Sequence, residues 1–110
     1  MEALPGPKLS RGEFGLLLLA LLARREMYGY ELVSQLRALT DGAIDLPEGT
    51  VYPALRRLER DGLIGGRWVD IGAGPRRRYY ALTPKGQTAL VAGRHEWRRF
   101  RTAADTLLGS

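Results

Sequence analysis

The sequence predicts a mainly α-helical fold that carries one small β-hairpin. Four segments have the apolar residues and the capping signals of helices, and strand-like residues flank a Gly- and Pro-rich turn near position 74. A length of 110 residues with 45% apolar residues fits one small domain. Cysteine is absent, which excludes disulfides and thiolate metal sites.

Charge is distributed unevenly along the chain and indicates an anionic partner. The net charge is +5, but residues 1–49 carry five basic and seven acidic side chains, whereas residues 50–101 carry twelve and four. Such a basic half favours nucleic acid. Neither a signal peptide nor an apolar run of membrane-spanning length occurs, so we expect a cytoplasmic protein with no membrane partner.

Catalytic chemistry has little support in the sequence. His95 is the only histidine, and no nucleophile motif, phosphate-cradling loop or cluster of carboxylates occurs. We therefore predict that the protein is not an enzyme and that it has no cofactor and no metal site.

The N-terminal part predicts a flexible tail followed by a helix. Pro and Gly interrupt residues 1–8, and a Ser-x-x-Glu capping box at 10–13 starts a helix that reaches about Arg25. This helix is apolar on nearly all sides, so it must be covered on all sides. We expect one flank to pack in the core and another, with Phe14 and Leu18, to contact a second subunit.

A second helix is predicted from about residue 30 to residue 39, after a break at 27–29. Turn-forming residues at 40–42 end it, and residues 43–46 are predicted to form a short strand. The third helix follows directly.

The third helix has two opposite faces. Val51, Leu55 and Leu58 recur at i, i+4 and i+7 and so share one face. The opposite face carries Pro53, Arg56, Arg57 and Arg60. We expect this helix to begin at residue 49 or 50, with Pro53 in its first turn, and to end near residue 61. Its basic face is typical of a helix in the DNA major groove, and a solvated basic surface is the alternative.

A β-hairpin, which we call the wing, follows the third helix. Residues 64–71 and 76–82 are the predicted strands, and residues 72–75 form the turn. Alternation places Arg76, Arg78 and Tyr80 on one side and Arg77 and Tyr79 on the other. Contacts with DNA phosphates are favoured, and charges that protect an edge hairpin from aggregation are the alternative. This order of elements predicts a winged helix-turn-helix domain over residues 9–82.

The last predicted element is a C-terminal dimerisation helix over residues 83–110. Thr83 suits the N-cap position and Pro84 the first helical position. Apolar residues then recur in seven-residue steps, which is coiled-coil spacing. The resulting stripe consists of Leu90, Gly93, Trp97, Phe100, Ala104 and Leu107.

Three motifs in this order resemble the PadR family of bacterial transcriptional regulators. They are YGYEL at 28–32, GTVYPALRRLERDGLI at 49–64 and RRRYYALTPKG at 76–86. The chain looks like the short branch of that family, without an additional C-terminal domain. The resemblance implies a dimer built by the last helix and DNA contact around Tyr52 and Pro53.

These observations predict a homodimeric, sequence-specific repressor that binds an inverted-repeat operator in double-stranded DNA. The predicted DNA-binding residues are Tyr30, Thr50, Tyr52, Pro53, Arg56, Arg57, Arg60, Arg76, Arg77 and Arg78. For Tyr30, a place in the core is an equal alternative. The predicted dimer interface consists of Phe14, Leu18, Leu90, Gly93, Trp97, Phe100, Ala104 and Leu107. A winged-helix protein-interaction module and a non-specific nucleic-acid binder without a ligand are the alternative functions.

The resemblance also implies an effector site at Trp97. This residue is similar in position to the last-helix tryptophan of multidrug-sensing PadR repressors, in which planar aromatic compounds stack between subunits. We predict effector contacts from Trp97, Phe100 and Arg101, and plain interface packing of Trp97 is the alternative. The arginines nearby, Arg94, Arg98, Arg99 and Arg101, favour a neutral or anionic aromatic compound over a cationic one.

Overall fold

The computed structural model describes residues 11–109, with side chains from Phe14 onward. Its elements are α1 (Arg11–Leu22), β1 (Met27–Tyr28), α2 (Gly29–Leu39), α3 (Glu48–Arg60), β2 (Ile64–Val69), β3 (Arg77–Leu82) and α4 (Pro84–Leu108). The prediction of a mainly α-helical fold with one hairpin is confirmed. The predicted tail at 1–8 and the capping box at 10–13 lie outside the described side chains.

One hydrophobic core joins α1, α2 and α3. The apolar stripe of α3 enters it as predicted, and Val51 and Leu55 are fully buried. Leucines of α1 and α2 cover this stripe, and Ile64 of β2 and Leu90 of α4 close the core. Because the stripe is buried, the arginines on the opposite side of α3 are directed away from the core.

The start of α3 differs from the prediction. Pro47 is the N-cap, and its carbonyl accepts hydrogen bonds from the N–H groups of Thr50 and Val51 at 2.9 and 3.1 Å. Pro53 is consequently the sixth helical residue and lies in the second turn rather than the first. Proline has no N–H to offer the carbonyl four residues earlier, which belongs to Gly49. Gly49 is exposed, so water can reach that carbonyl.

The sheet contains a strand that the sequence did not reveal. Its order is β1-β3-β2, and both pairings are antiparallel. The predicted strand at 43–46 is wrong, because these residues form a loop that packs Leu46 into the core. The Thr40 hydroxyl holds the loop by donating to the Leu36 carbonyl at 2.6 Å and accepting from the Ile44 N–H at 3.0 Å.

The N-terminus of α4 is fixed against the end of α3. The Thr83 hydroxyl donates to the Gly62 carbonyl at 2.7 Å and accepts from the Gly86 N–H at 3.0 Å, which confirms Thr83 as the N-cap. Gly86 lies so close to the loop before β2 that a Cβ there would be 2.0 Å from the Leu63 carbonyl oxygen. From Val91 onward, α4 is largely exposed. Among residues 11–109, no helix has both the length and the apolar composition needed to cross a membrane.

We expect Gly86→Ala to lower the free energy of unfolding by about 1–3 kcal/mol, because the new methyl group meets backbone rather than a flexible side chain. Gly49→Ala is the matched control, since a Cβ there has no neighbour within 4 Å and the change should raise stability by about 0.4–1 kcal/mol. Urea denaturation at one fixed protein concentration measures both. Equal stability of the two variants would contradict the close approach at Gly86.

Candidate nucleic-acid interface

The outer face of α3 presents arginines that have no ion-pair partner among the described side chains. Arg56 and Arg60 are exposed and Arg57 is half-buried. Within residues 14–109, none of the three takes part in an ion pair. Nothing in the fold requires guanidinium groups on this face, so they are available to an anionic partner.

Tyr52 lies at the junction of α3 with α2, where it packs on Gly29. A Cβ on Gly29 would be 2.3 Å from Cε1 of Tyr52 and 2.8 Å from its hydroxyl oxygen. Burial, followed by the negative charge of Glu48, raises the pKa of Tyr52 above its ordinary value. The phenol is protonated at neutral pH, as an unperturbed tyrosine also is, and has a hydrogen that it can donate to a phosphate oxygen.

Tyr30 and Glu31 both belong to the first turn of α2 but have different surroundings. The Tyr30 side chain is 56% exposed, so the core alternative for this residue is wrong. The Glu31 carboxylate accepts from the Tyr28 N–H at 3.2 Å and from Arg25 at 2.9 Å, and it thereby caps the helix. Thr50 is half-buried and Pro53 exposed in the first two turns of α3.

The three predicted wing arginines have different surroundings. Arg76 is exposed, with its guanidinium carbon 5.5 Å from the ring centre of Trp68. Arg77 is exposed on the other side, 4.4 Å from the ring centre of Tyr28. Arg78 is half-buried and forms an ion pair with Glu59 of α3. The predicted alternation of side chains along β3 is therefore observed, but only Arg76 and Arg77 are free of carboxylate partners in the described part of the chain.

A second ion pair on the wing was not predicted from the sequence. Arg67 of β2 donates from Nε and Nη2 to the two carboxylate oxygens of Glu26, at 2.9 and 3.2 Å. The hydrogen bond from Arg67 lowers the pKa of Glu26. Both side chains are exposed, so the pair adds little stability, but it orients the wing relative to the segment before β1. Nothing in the local sequence distinguished Arg67 as a paired residue.

The residues predicted for a dimer interface have three kinds of surroundings. Leu18 and Leu90 are fully buried in the chain's own core, so their assignment to an interface is corrected. Leu90 belongs to the periodic stripe of α4 and Leu18 to the apolar surface of α1, and burial within a chain and burial against a partner produce the same apolar patterns. Gly93 packs on α1, where a Cβ would be 2.4 Å from Cδ1 of Leu16. The remaining members, Phe14, Trp97, Phe100, Ala104 and Leu107, keep exposed surface.

An apolar groove lies between α1, the loop at 43–46 and α4. Its volume is about 810 Å³, and its lining combines apolar side chains with three arginines of α4 and one acid, Asp45. The lining residues are Phe14, Leu16, Leu17, Ala20, Ala43, Ile44, Asp45, Leu46, Leu90, Arg94, Trp97, Arg98 and Arg101. Trp97 and Phe100 stack with ring centres 5.7 Å apart and an angle of 30° between their planes. Both rings remain substantially exposed.

The fold and the exposed arginines together define a winged helix-turn-helix DNA-binding protein. In this class, the helix that occupies the place of α3 enters the major groove and presents side chains to base edges. Residues 18–92 match the Transcriptional regulator PadR-like family. The chain belongs to this family, whose members are DNA-binding transcriptional regulators and not enzymes.

Two similar structures and one sequence relative support the same assignment. A transcriptional regulator from Clostridium thermocellum is 31% identical, with a TM-score of 0.80 over 87% of this chain and 93% of its own. A PadR-like transcriptional regulator from Bacillus cereus is 32% identical, with a TM-score of 0.77 over 91% of this chain and 95% of its own. The transcriptional regulator YqjI of Escherichia coli is 33% identical over 85 residues, which are 77% of this chain and 39% of YqjI.

Proposed function

We propose that the protein is a homodimeric, sequence-specific repressor that an aromatic effector releases from an inverted-repeat operator. The observation that carries the proposal is the set of exposed arginines of α3, which lie opposite the buried stripe and have no ion-pair partner in residues 14–109. A two-fold dimer presents two such helices to DNA. Half-sites then lie about 10 bp apart, or a multiple of that spacing.

In this proposal, the residues of the interface have distinct roles. Arg56 and Arg57 reach base edges, where a guanidinium can donate two hydrogen bonds to guanine. Arg76 and Arg77 contact phosphates, which supply affinity but little sequence information. The remaining contacts come from residues near the junction of α2 and α3 and from the end of α3: Tyr30, Thr50, Tyr52, Pro53 and Arg60.

The dimer seam of the proposal runs along α4 and the half-buried flank of α1. Leu107 is 86% exposed in the single chain, and Trp97 and Phe100 also present apolar area to solvent. A partner subunit that covers these residues removes this area from water. The seam then includes Phe14, Gly93, Trp97, Phe100, Ala104 and Leu107, without Leu18 and Leu90.

The proposed effector site lies where the groove meets Trp97. The indole offers a rigid face for stacking, and Phe100 stacks against the indole at the edge of the site. Arg94, Arg98 and Arg101 line the same groove, whose one acid, Asp45, is paired with Arg37. The excess of positive charge favours an anionic group on the ligand. An effector that binds the DNA-free arrangement of the dimer more tightly shifts the population away from the operator.

The DNA contacts are tested with an operator that the wild-type protein selects from a random DNA pool. Arg56→Ala and Arg57→Ala should each weaken operator binding by about 1–3 kcal/mol and relax the base preference at one position. Arg37→Ala is the control, because this exposed arginine on α2 is paired with Asp45. Unchanged operator affinity in both α3 variants at physiological salt contradicts the assignment, and equal binding to all sequences supports a non-specific binder.

The dimer seam is tested by adjacent substitutions on α4. Ala104→Arg should convert the dimer to a monomer, because it introduces a long charged side chain at a half-buried position of the stripe. Ala103→Arg adds the same charge at the neighbouring exposed position and should leave the dimer intact. Sedimentation velocity distinguishes the species. A dimer that survives Ala104→Arg, or a wild-type monomer, excludes this seam.

The effector site is tested by Trp97→Ala and tryptophan fluorescence. A planar aromatic carboxylate should quench Trp97 in a Trp68→Phe background and should release the operator, whereas a planar aromatic amine of similar size should bind more weakly. Trp97→Ala should keep operator binding and lose the response to the carboxylate. If no planar compound quenches Trp97 or releases DNA, Trp97 serves only in packing.

A further inference from the structure

We propose that Arg78 is a positioning residue, whose guanidinium braces the wing against α3 through Glu59 instead of contacting DNA. The proposal depends on DNA binding by the protein and does not depend on the dimer or the effector. It separates Arg78 from its neighbours Arg76 and Arg77, although the three arginines are consecutive in the sequence.

The Arg78 guanidinium contacts one carboxylate and two aromatic rings of its own chain. Nη2 donates to the Glu59 carboxylate, across 19 residues of sequence, and thereby joins β3 to α3. The guanidinium carbon is 5.3 Å from the ring centre of Trp68 and 5.8 Å from that of Tyr80. The side chains of Arg78 and Glu59 are 28% and 32% exposed, so water screens this pair less than a pair on the open surface.

Gly66 provides the space that this arrangement requires. In the β2–β3 register, Trp68 lies opposite Arg78 and Gly66 opposite Tyr80, so all four residues share one face of the wing. A Cβ on Gly66 would be 2.7 Å from Cζ, Nε and Nη2 of Arg78. The guanidinium therefore occupies the place where any other residue at position 66 would have a side chain. At the adjacent Gly65, a Cβ would have no neighbour within 4 Å.

Charge explains why Arg78 is not available to a phosphate. Its positive charge is balanced by the carboxylate of Glu59, which lies on α3. If Arg78 moved to the DNA backbone, Glu59 would remain as an unpaired carboxylate near the phosphates, and like charges placed close together cost free energy. Arg76 and Arg77 have no such partner in the described residues and carry no such cost.

The brace affects DNA recognition through geometry. Base contacts from α3 and phosphate contacts from the wing can form together only when the two elements have the correct relative position. A side-chain pair that fixes this position before binding reduces the ordering cost at the operator. Random DNA is bound mainly through phosphates, so its affinity depends less on a fixed relative position of α3 and the wing. Arg78 should therefore influence the preference for the operator rather than the number of phosphate contacts.

Gly66→Ala is the sharpest test, because it displaces the guanidinium without changing any charge, and Gly65→Ala is the matched control. Affinities for the selected operator and for random DNA are measured by fluorescence anisotropy over a range of salt concentrations. We expect Gly66→Ala to lower the ratio of operator affinity to random affinity about tenfold, which corresponds to about 1.4 kcal/mol. The slope of log K against log salt should not change, and Gly65→Ala should alter neither quantity.

Glu59→Gln and Arg78→Gln test the pair from its two ends. Each should lower the ratio of operator affinity to random affinity as Gly66→Ala does. The double variant should lower this ratio no further than either single variant, because all three remove the same Arg78–Glu59 interaction. Arg78→Gln should leave the salt slope unchanged. Arg76→Gln is the control for a phosphate contact and should reduce the slope by about one.

A phosphate-binding Arg78 predicts the opposite results. Glu59→Gln would then raise DNA affinity, since it removes a repulsive charge and frees the guanidinium, and Arg78→Gln would reduce the salt slope by about one. Either result overturns the proposal, as does an equal loss of affinity for both DNAs. Thermal unfolding of each variant gives the fraction of protein that is folded, and the measured affinities are corrected for this fraction. A normal slope in Arg76→Gln would instead contradict the wing contacts of the proposed function and leave the brace unaffected.

Discussion

The burial of one face of α3 is the constraint on which the rest of the structure depends. Val51 and Leu55 are fully buried, and each residue advances the helix by about 100°. A rotation of α3 by one residue would withdraw these side chains from the core and press an arginine towards it, and a charge that enters a core without a partner is strongly destabilising. The core therefore determines which side chains face outward. The side chains that α3 of this PadR-family protein presents to solvent are thus specified by packing inside the domain.

Close approaches at glycines place the surrounding functional side chains. Tyr52 lies on Gly29, the Arg78 guanidinium lies over Gly66, and the Leu63 carbonyl approaches Gly86. In each case, a side chain or backbone group uses the volume that a Cβ would otherwise fill. These contacts link α2 to α3, the two strands of the wing to each other, and α4 to the loop before β2. The relative positions of these elements thus depend on small residues at the points of contact.

Sequence patterns predicted the long elements well because periodicity accumulates over several turns. The stripe of α3, the hairpin and the N-cap at Thr83 all carried local signals that tertiary structure did not override. β1 was missed because two residues cannot show alternation. The loop at 43–46 was mistaken for a strand because Leu46 is apolar, although this residue is apolar because it packs into the core.

The surroundings of the site residues were harder to predict from the sequence than the helices and strands. Leu90 and Trp97 belong to one heptad pattern, yet one is in the core and the other is exposed. Arg76 and Arg78 differ only through Glu59, which is distant in sequence, although a search for acids facing the hairpin could have suggested that pair.

The shape of α4 has a mechanical consequence. The helix is held at its base, where Gly86 meets the Leu63 carbonyl, and again where Gly93 meets Leu16. Beyond Gly93 it continues to Leu108 as an exposed rod of about 22 Å, at about 1.5 Å per residue. A tilt of about 5° at the Gly93 contact moves the end of this rod by about 2 Å. A force applied at the far end of α4 would therefore act on α1, which packs against both α4 and α3.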